Sequence, residues 1–294
     1  MTLWQPLLVL TLVWGSAGQR PPAATAELVH VGATLETTSG VPVLEIDCAT
    51  FELRVDDRPR PLRGCVNGAP VTIALLLDVS SSFEYQSSIP SLVDELAAGL
   101  RPEDRLGVGW FAAEIAPPAT FTRDRQALSA AAERAADAAD DVAGPSPLWD
   151  ALTATIEALP AEPGRRAVVV VTDGRATGNQ APFAVAARGV VLAGVEVHVI
   201  GRPFIRAAPD RMAPEIELAN RPAMLALASG GTASGVGQGF QDVKPRLRAI
   251  LAGLQRSYTL SFAPDPRDNE IHRLDVRVHA RGVVIRAPDR FGVR

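Results

Sequence analysis

The side chains best placed to do chemistry in this chain carry oxygen: Asp78, Ser80, Ser82, Ser146 and Asp173. The first three alternate in the run Asp78-Val79-Ser80-Ser81-Ser82. Residues two apart in extended chain face the same way, so their oxygens can converge. Asp173 opens the dipeptide Asp173-Gly174, and Ser146 lies within Gly144-Pro145-Ser146-Pro147-Leu148-Trp149-Asp150-Ala151. Two carboxylates and a set of hydroxyls make a hard donor set that suits Mg²⁺, Mn²⁺ or Ca²⁺ better than zinc or copper. Each piece also has a plainer reading. Ser and Asp are preferred helix N-caps, Ser146 followed by Pro147 fits the start of a helix, and Asp173-Gly174 fits a turn. Capping accounts for one residue of the alternating run, not for three, and the co-occurrence of all three stretches favours the cation.

Two apolar runs deliver the aspartates. Val71-Thr72-Ile73-Ala74-Leu75-Leu76-Leu77 precedes Asp78, and Ala167-Val168-Val169-Val170-Val171-Thr172 precedes Asp173. Such near-continuous apolar runs mark parallel strands buried on both faces. In an open α/β sheet, ligands bind beyond the carboxyl ends of the strands, where both aspartates fall. Around these runs, helical patterns at 85–100, 125–139, 148–159, 182–192, 223–228 and 243–255 alternate with strands at 106–111 and 195–200. Residues 115–121 read as a hairpin partner of the strand at 106–111, and the glycine-rich stretch 230–239 as a loop. This alternation predicts βαβ units and a mainly parallel sheet. The flanks read differently. Residues 28–31 and 51–55 before the α/β region, and 258–262, 273–279 and 283–285 after it, are strand-like, with turns at 39–42 and 56–59. These two β segments are expected to pack together or to extend the central sheet.

Taken in order, the three motifs resemble those of von Willebrand factor type A domains. Asp78-Val79-Ser80-Ser81-Ser82 matches the Asp-x-Ser-x-Ser motif, and Thr172-Asp173-Gly174 the later Asp-Gly motif. Gly144-Pro145-Ser146-Pro147-Leu148-Trp149-Asp150-Ala151 is similar to the Gly-x-Thr-x-Leu-x-x-Ala loop. More narrowly, the chain resembles bacterial exported proteins in which short β segments flank such a domain. The resemblance implies a Rossmann-like α/β fold with helices on both faces of the sheet and small β segments at either end. The divisions are then a signal peptide at 1–18, an N-terminal β segment at 19–69, the A-type domain at 70–256 and a C-terminal β segment at 257–294. It further implies a metal-ion-dependent adhesion site. Ser80 and Ser82 would hold the cation directly, and Asp78 and Asp173 mainly through water or hydrogen bonds. Ser146 stands where the family has threonine, keeping the hydroxyl and losing the methyl that restricts χ1. Two carboxylates roughly neutralise a divalent ion, which stays electrophilic towards an outside oxygen, such as an Asp or Glu of a protein partner.

Composition narrows the remaining classes. The 294 residues carry 29 basic and 33 acidic side chains, a net charge of −4, which argues against a nucleic-acid partner. Residues 3–14 are mostly apolar and lead into Gly15-Ser16-Ala17-Gly18-Gln19, the pattern of a cleaved signal peptide and too short for a membrane span. The expectation is a secreted or periplasmic protein with no membrane span after cleavage. In that setting the two cysteines, Cys48 and Cys65, read as a possible disulfide, against the alternative of two buried thiols. No Gly-x-Ser-x-Gly, Gly-x-x-x-x-Gly-Lys or His-Glu-x-x-His motif is present. The four histidines, His30, His198, His272 and His279, lie in strand-like segments away from the three loops, so no base is at hand for metal-assisted hydrolysis. The chain therefore reads as a binding module and not an enzyme, with a metal-independent scaffold in an envelope assembly as the alternative.

Overall fold

The computed structural model describes residues 28–43, 45–80, 86–140, 144–160, 164–201, 214–236, 242–264 and 270–292. The proposed signal peptide, the leader that follows it and Ser82 lie outside the described residues.

The central sheet is built on the two apolar runs. Strands β5 (Val71–Asp78) and β8 (Arg165–Thr172) lie side by side and parallel, with Leu77 opposite Val171. Strand β6 (Arg105–Phe111) pairs with the other edge of β5, and β9 (Glu196–Gly201) with the other edge of β8. Two short strands, β7 (Ile115–Ala116) and β10 (Ala233–Gly235), close the order β10-β9-β8-β5-β6-β7, in which only β7 runs antiparallel. Helices cover both faces. On one face α1 (Ile89–Gly99), α2 (Arg125–Asp140) and α6 (Val243–Gln255) pack against Ile73, Leu75 and Leu77. On the other, α3 (Leu148–Ala158), α4 (Phe183–Ala193) and α5 (Pro214–Ala228) pack against Ala74, Leu76, Val168 and Val170. After β5 the chain turns to the first face, and after β8 to the second. The rim between these strands is therefore a switch point of the kind at which open α/β sheets bind ligands.

The flanking segments pack together and do not extend this sheet. Strands β1 (Val29–Thr37), β4 (Leu62–Asn67), β11 (Tyr258–Phe262) and β13 (Val283–Arg286) form one antiparallel sheet. Strands β2 (Phe51–Val55), β3 (Arg58–Arg60), β12 (Ile271–Val278) and β14 (Arg290–Gly292) form the other. Their inner faces share a core that includes Leu35, Leu53, Leu260, Phe262 and Phe291. Cys48 and Cys65 are joined by a disulfide with a Cα–Cα distance of 6.1 Å. The α/β domain is inserted between β4 and β11, which are hydrogen-bonded neighbours with Asn67 opposite Tyr258.

The sandwich docks on the edge where the parallel strands begin, opposite the rim that carries the aspartates. Arg165 and Glu196, the first residues of β8 and β9, form a buried ion pair there. Gly32 of β1 lies against it, and a side chain at that position would collide with both partners. Asp289 donates its N–H to Ala228 O at 3.2 Å, and Arg286 Nη1 donates to Gly230 O at 3.3 Å.

Strand β3 begins within the turn expected at 56–59, β4 and β14 are strands the sequence pattern does not announce, and in the α/β domain three elements differ from the sequence-based expectation. The hairpin partner of β6 is two residues long, because Pro117 and Pro118 follow and proline cannot donate to a ladder. Helix α5 starts at Pro214, not 223, and runs through Pro222. The glycine-rich stretch contributes β10, which pairs parallel with β9.

Candidate functional site

Asp78 ends β5 with none of its surface exposed, and both of its carboxylate oxygens are occupied by donors. Oδ1 accepts from the Ser80 N–H at 3.1 Å and the Ser80 hydroxyl at 2.7 Å. Oδ2 accepts from the Ser146 hydroxyl at 3.0 Å and the Thr172 hydroxyl at 2.6 Å. One carboxylate thus gathers hydroxyls from three stretches far apart in sequence. Register explains part of this: Thr172 ends β8 beside Asp78, so the two side chains emerge from adjacent strands at one level. Burial pushes the Asp78 carboxyl above the usual range, and the hydrogen bonds from Thr172, Ser80 and Ser146 offset only part of that. A hydroxyl that donates its proton to a carboxylate turns its lone pairs elsewhere. Ser80 and Ser146 are therefore presented as oxygen donors around a buried negative charge, a donor set that fits a hard divalent cation.

Asp173 stands one residue beyond Thr172 at the same rim and is nearly buried. Its Oδ1 accepts the Arg175 N–H at 2.8 Å, which closes a tight turn, and the Arg175 guanidinium lies 3.8 Å from Oδ2. Gly174 has a φ of 82° and donates its N–H to the Thr172 hydroxyl at 3.0 Å. Direct hydrogen bonds therefore join Asp78, Ser80, Ser146 and Thr172, while those described for Asp173 run within its own turn. Among the described residues no three His, Cys, Asp or Glu side chains cluster as a metal-binding group, so any cation here would depend on the serine hydroxyls.

The Ser146 loop is bound along its length to the segment that follows Gly174. Ser146 N–H donates to Thr177 Oγ1 at 3.0 Å, and Thr177 N–H donates back to Ser146 O at 2.9 Å. Trp149 N–H, in the first turn of α3, donates to Asn179 Oδ1 at 2.7 Å. In return the Asp150 carboxylate accepts from Gln180 N–H at 2.7 Å and Ala181 N–H at 2.8 Å, just before α4. Gly178 has a φ of 70° and lies against Pro145, where a Cβ would run into the proline ring. Thr172, Thr177 and Asn179 were not among the candidates read from sequence. Thr172 carried a weak signal, a lone hydroxyl ending a valine run. Thr177 and Asn179 carried none, since their partners lie about 30 residues away.

No family model and no curated protein matches the sequence. Among solved structures, similarity extends to an aerotolerance-related membrane protein from Bacteroides fragilis NCTC 9343, at 20% identity over 63% of this chain and 98% of that one, with a TM-score of 0.46. It extends also to BatB from Bacteroides thetaiotaomicron, at 18% identity over 62% and 98%, TM-score 0.46. Human COPII-coat protein Sec24c matches at 12% identity over 78% of this chain and 44% of that one, TM-score 0.46.

Proposed function

We propose that this chain is an exported, divalent-cation-dependent protein-binding module of the von Willebrand factor type A kind. The observation that supports it is the convergence of the Ser80, Ser146 and Thr172 hydroxyls on the buried Asp78 carboxylate. In this reading Ser80 and Ser146, with Ser82 by resemblance, hold Mg²⁺, Mn²⁺ or Ca²⁺ through oxygen. Asp78 and Asp173 supply the negative charge, acting on the ion through water or through the hydroxyls. The bound ion supplies an electrophilic centre for an Asp or Glu carboxylate of a protein partner. Because the sandwich covers the opposite edge of the sheet, the rim faces away from it. Export rests on residues 1–18. Among the described residues no helix is long and apolar enough to cross a membrane.

Thermal unfolding with and without cation tests this reading. At ~100 times its dissociation constant the ion adds about 2.7 kcal/mol to stability, which a melting curve detects. Asp78→Ala and Ser146→Ala should each abolish that rise. A wild-type protein whose melting temperature ignores Mg²⁺, Mn²⁺ and Ca²⁺ alike would sink the cation reading and leave the metal-independent scaffold.

A further inference from the structure

We propose that residues 175–181 act as a strap that sets cation affinity, with Thr177 and Asn179 as positioning residues for Ser146; this rests on the cation-binding reading above. Serine has no β-branch, so nothing in the Ser146 side chain itself restricts its rotation. Its hydroxyl is tied to Asp78 Oδ2 by a single hydrogen bond of 3.0 Å, and the aim of that bond depends on how the Ser146 backbone is held. The backbone is held on both sides by one residue: Thr177 Oγ1 takes the Ser146 N–H and Thr177 N–H takes the Ser146 carbonyl.

The strap continues beyond this pair. Pro147 precedes α3 and makes no side-chain cap, so the first turn of the helix relies on Asn179 Oδ1 for the Trp149 N–H. Asp150, on that same turn, ties down the amides of Gln180 and Ala181. Five hydrogen bonds thus join the Ser146 loop to the segment that leaves Asp173. Gly178 lets the two backbones approach, seated against the Pro145 ring. The strap makes the Ser146 and Asp173 stretches a single body. It therefore fixes Ser146 relative to Asp78 before any ion arrives, and removes the ordering cost that a loose loop would impose on binding.

Thr177 is exposed, so replacing its hydroxyl leaves the core intact. The experiment is titration of the full chain with Mn²⁺ by calorimetry, beside its melting temperature in chelator. Thr177→Val, which keeps the shape and removes the acceptor, should weaken Mn²⁺ binding tenfold or more, while the ion-free melting temperature falls only by the modest amount that one lost hydrogen bond to the Ser146 amide entails. Thr177→Ser should restore wild-type affinity, and Asn179→Ala should weaken binding in the same direction. Wild-type binding retained in Thr177→Val would overturn the strap while leaving the cation reading standing. A wild-type protein that binds no ion would overturn both. Hydrogen exchange on the wild type supplies a measurement free of any folding defect. The Ser146 and Trp149 amides should be protected in chelator and no further protected by Mg²⁺; exchange at open-loop rates in chelator would also overturn the strap.

Discussion

At the scale of single residues, Asp78 is costly and its surroundings offset that cost. Leaving a buried carboxylate oxygen without its hydrogen-bond partner costs the desolvation penalty of that oxygen in full. Thr172 is the side chain most exposed to this logic, since its hydroxyl both donates to Asp78 and accepts from Gly174 N–H. Thr172→Val should lower stability by about 1–3 kcal/mol in urea unfolding, and Thr172→Ser should stay close to wild type. Asp78 and Asp173 stand out in the sequence because each follows an apolar run, Ser80 because it alternates with Asp78, and Ser146 because it precedes a helix and lies between two prolines. Thr172 does not stand out in the sequence, since a threonine ending a β-branched strand is ordinary. Thr177 and Asn179 were invisible for a different reason: their role is to satisfy backbone amides of a remote loop, and no local spacing announces that.

At the scale of elements, legibility followed burial. Strands β5 and β8 are buried on both faces and read directly as apolar runs. Strand β4 did not, because its mixture of half-buried and exposed positions has no clean alternation. Its ladder with β11 also slips, with Gly64 opposite Ser261 but Leu62 opposite Phe262. The extra residue is Arg63, so a bulge and a charge sit on an edge strand, a combination that discourages pairing with another chain. The disulfide anchors this strand to the segment before β2. With a sequence separation of 17, the chain-entropy model assigns the cross-link about 3 kcal/mol. Replacing both Cys48 and Cys65 by Ser should therefore shift the denaturation midpoint downward by a corresponding amount, and any shift of melting temperature by Mg²⁺ under the proposed function should be unchanged, because the Asp78 rim is at the far edge of the sheet.

At the scale of the whole molecule, the seam between sandwich and α/β domain is electrostatic as well as apolar. Burial alone would push Glu196 upward, but the Arg165 charge and then His198 hold its carboxyl down at about 2. Burial likewise depresses His198, with Glu196 opposing and Arg286 and Arg165 reinforcing it. The His198 ring accepts the Thr232 N–H at Nδ1, 3.2 Å away, so the proton of the neutral ring sits on Nε2, 3.6 Å from Glu196. Both groups bind protons more weakly folded than unfolded, so acid favours the unfolded chain. The stability that Glu196 contributes is complete above pH 4.5 and is lost as pH falls towards about 2. His198 adds a loss that begins near pH 6.5. Urea unfolding followed from neutral to acid pH should show a gradual decline below pH 6.5 and a steeper one below 4.5, and His198→Gln should flatten the first part. The splice between β4 and β11 has a mechanical consequence. Gly68 N–H donates to Ser257 O at 3.0 Å, so the two linkers to the inserted domain are zipped together where they leave the sandwich. Tension passing through the sandwich should therefore be shunted across that zipper, leaving the inserted domain and its Asp78 rim unstretched until the zipper tears.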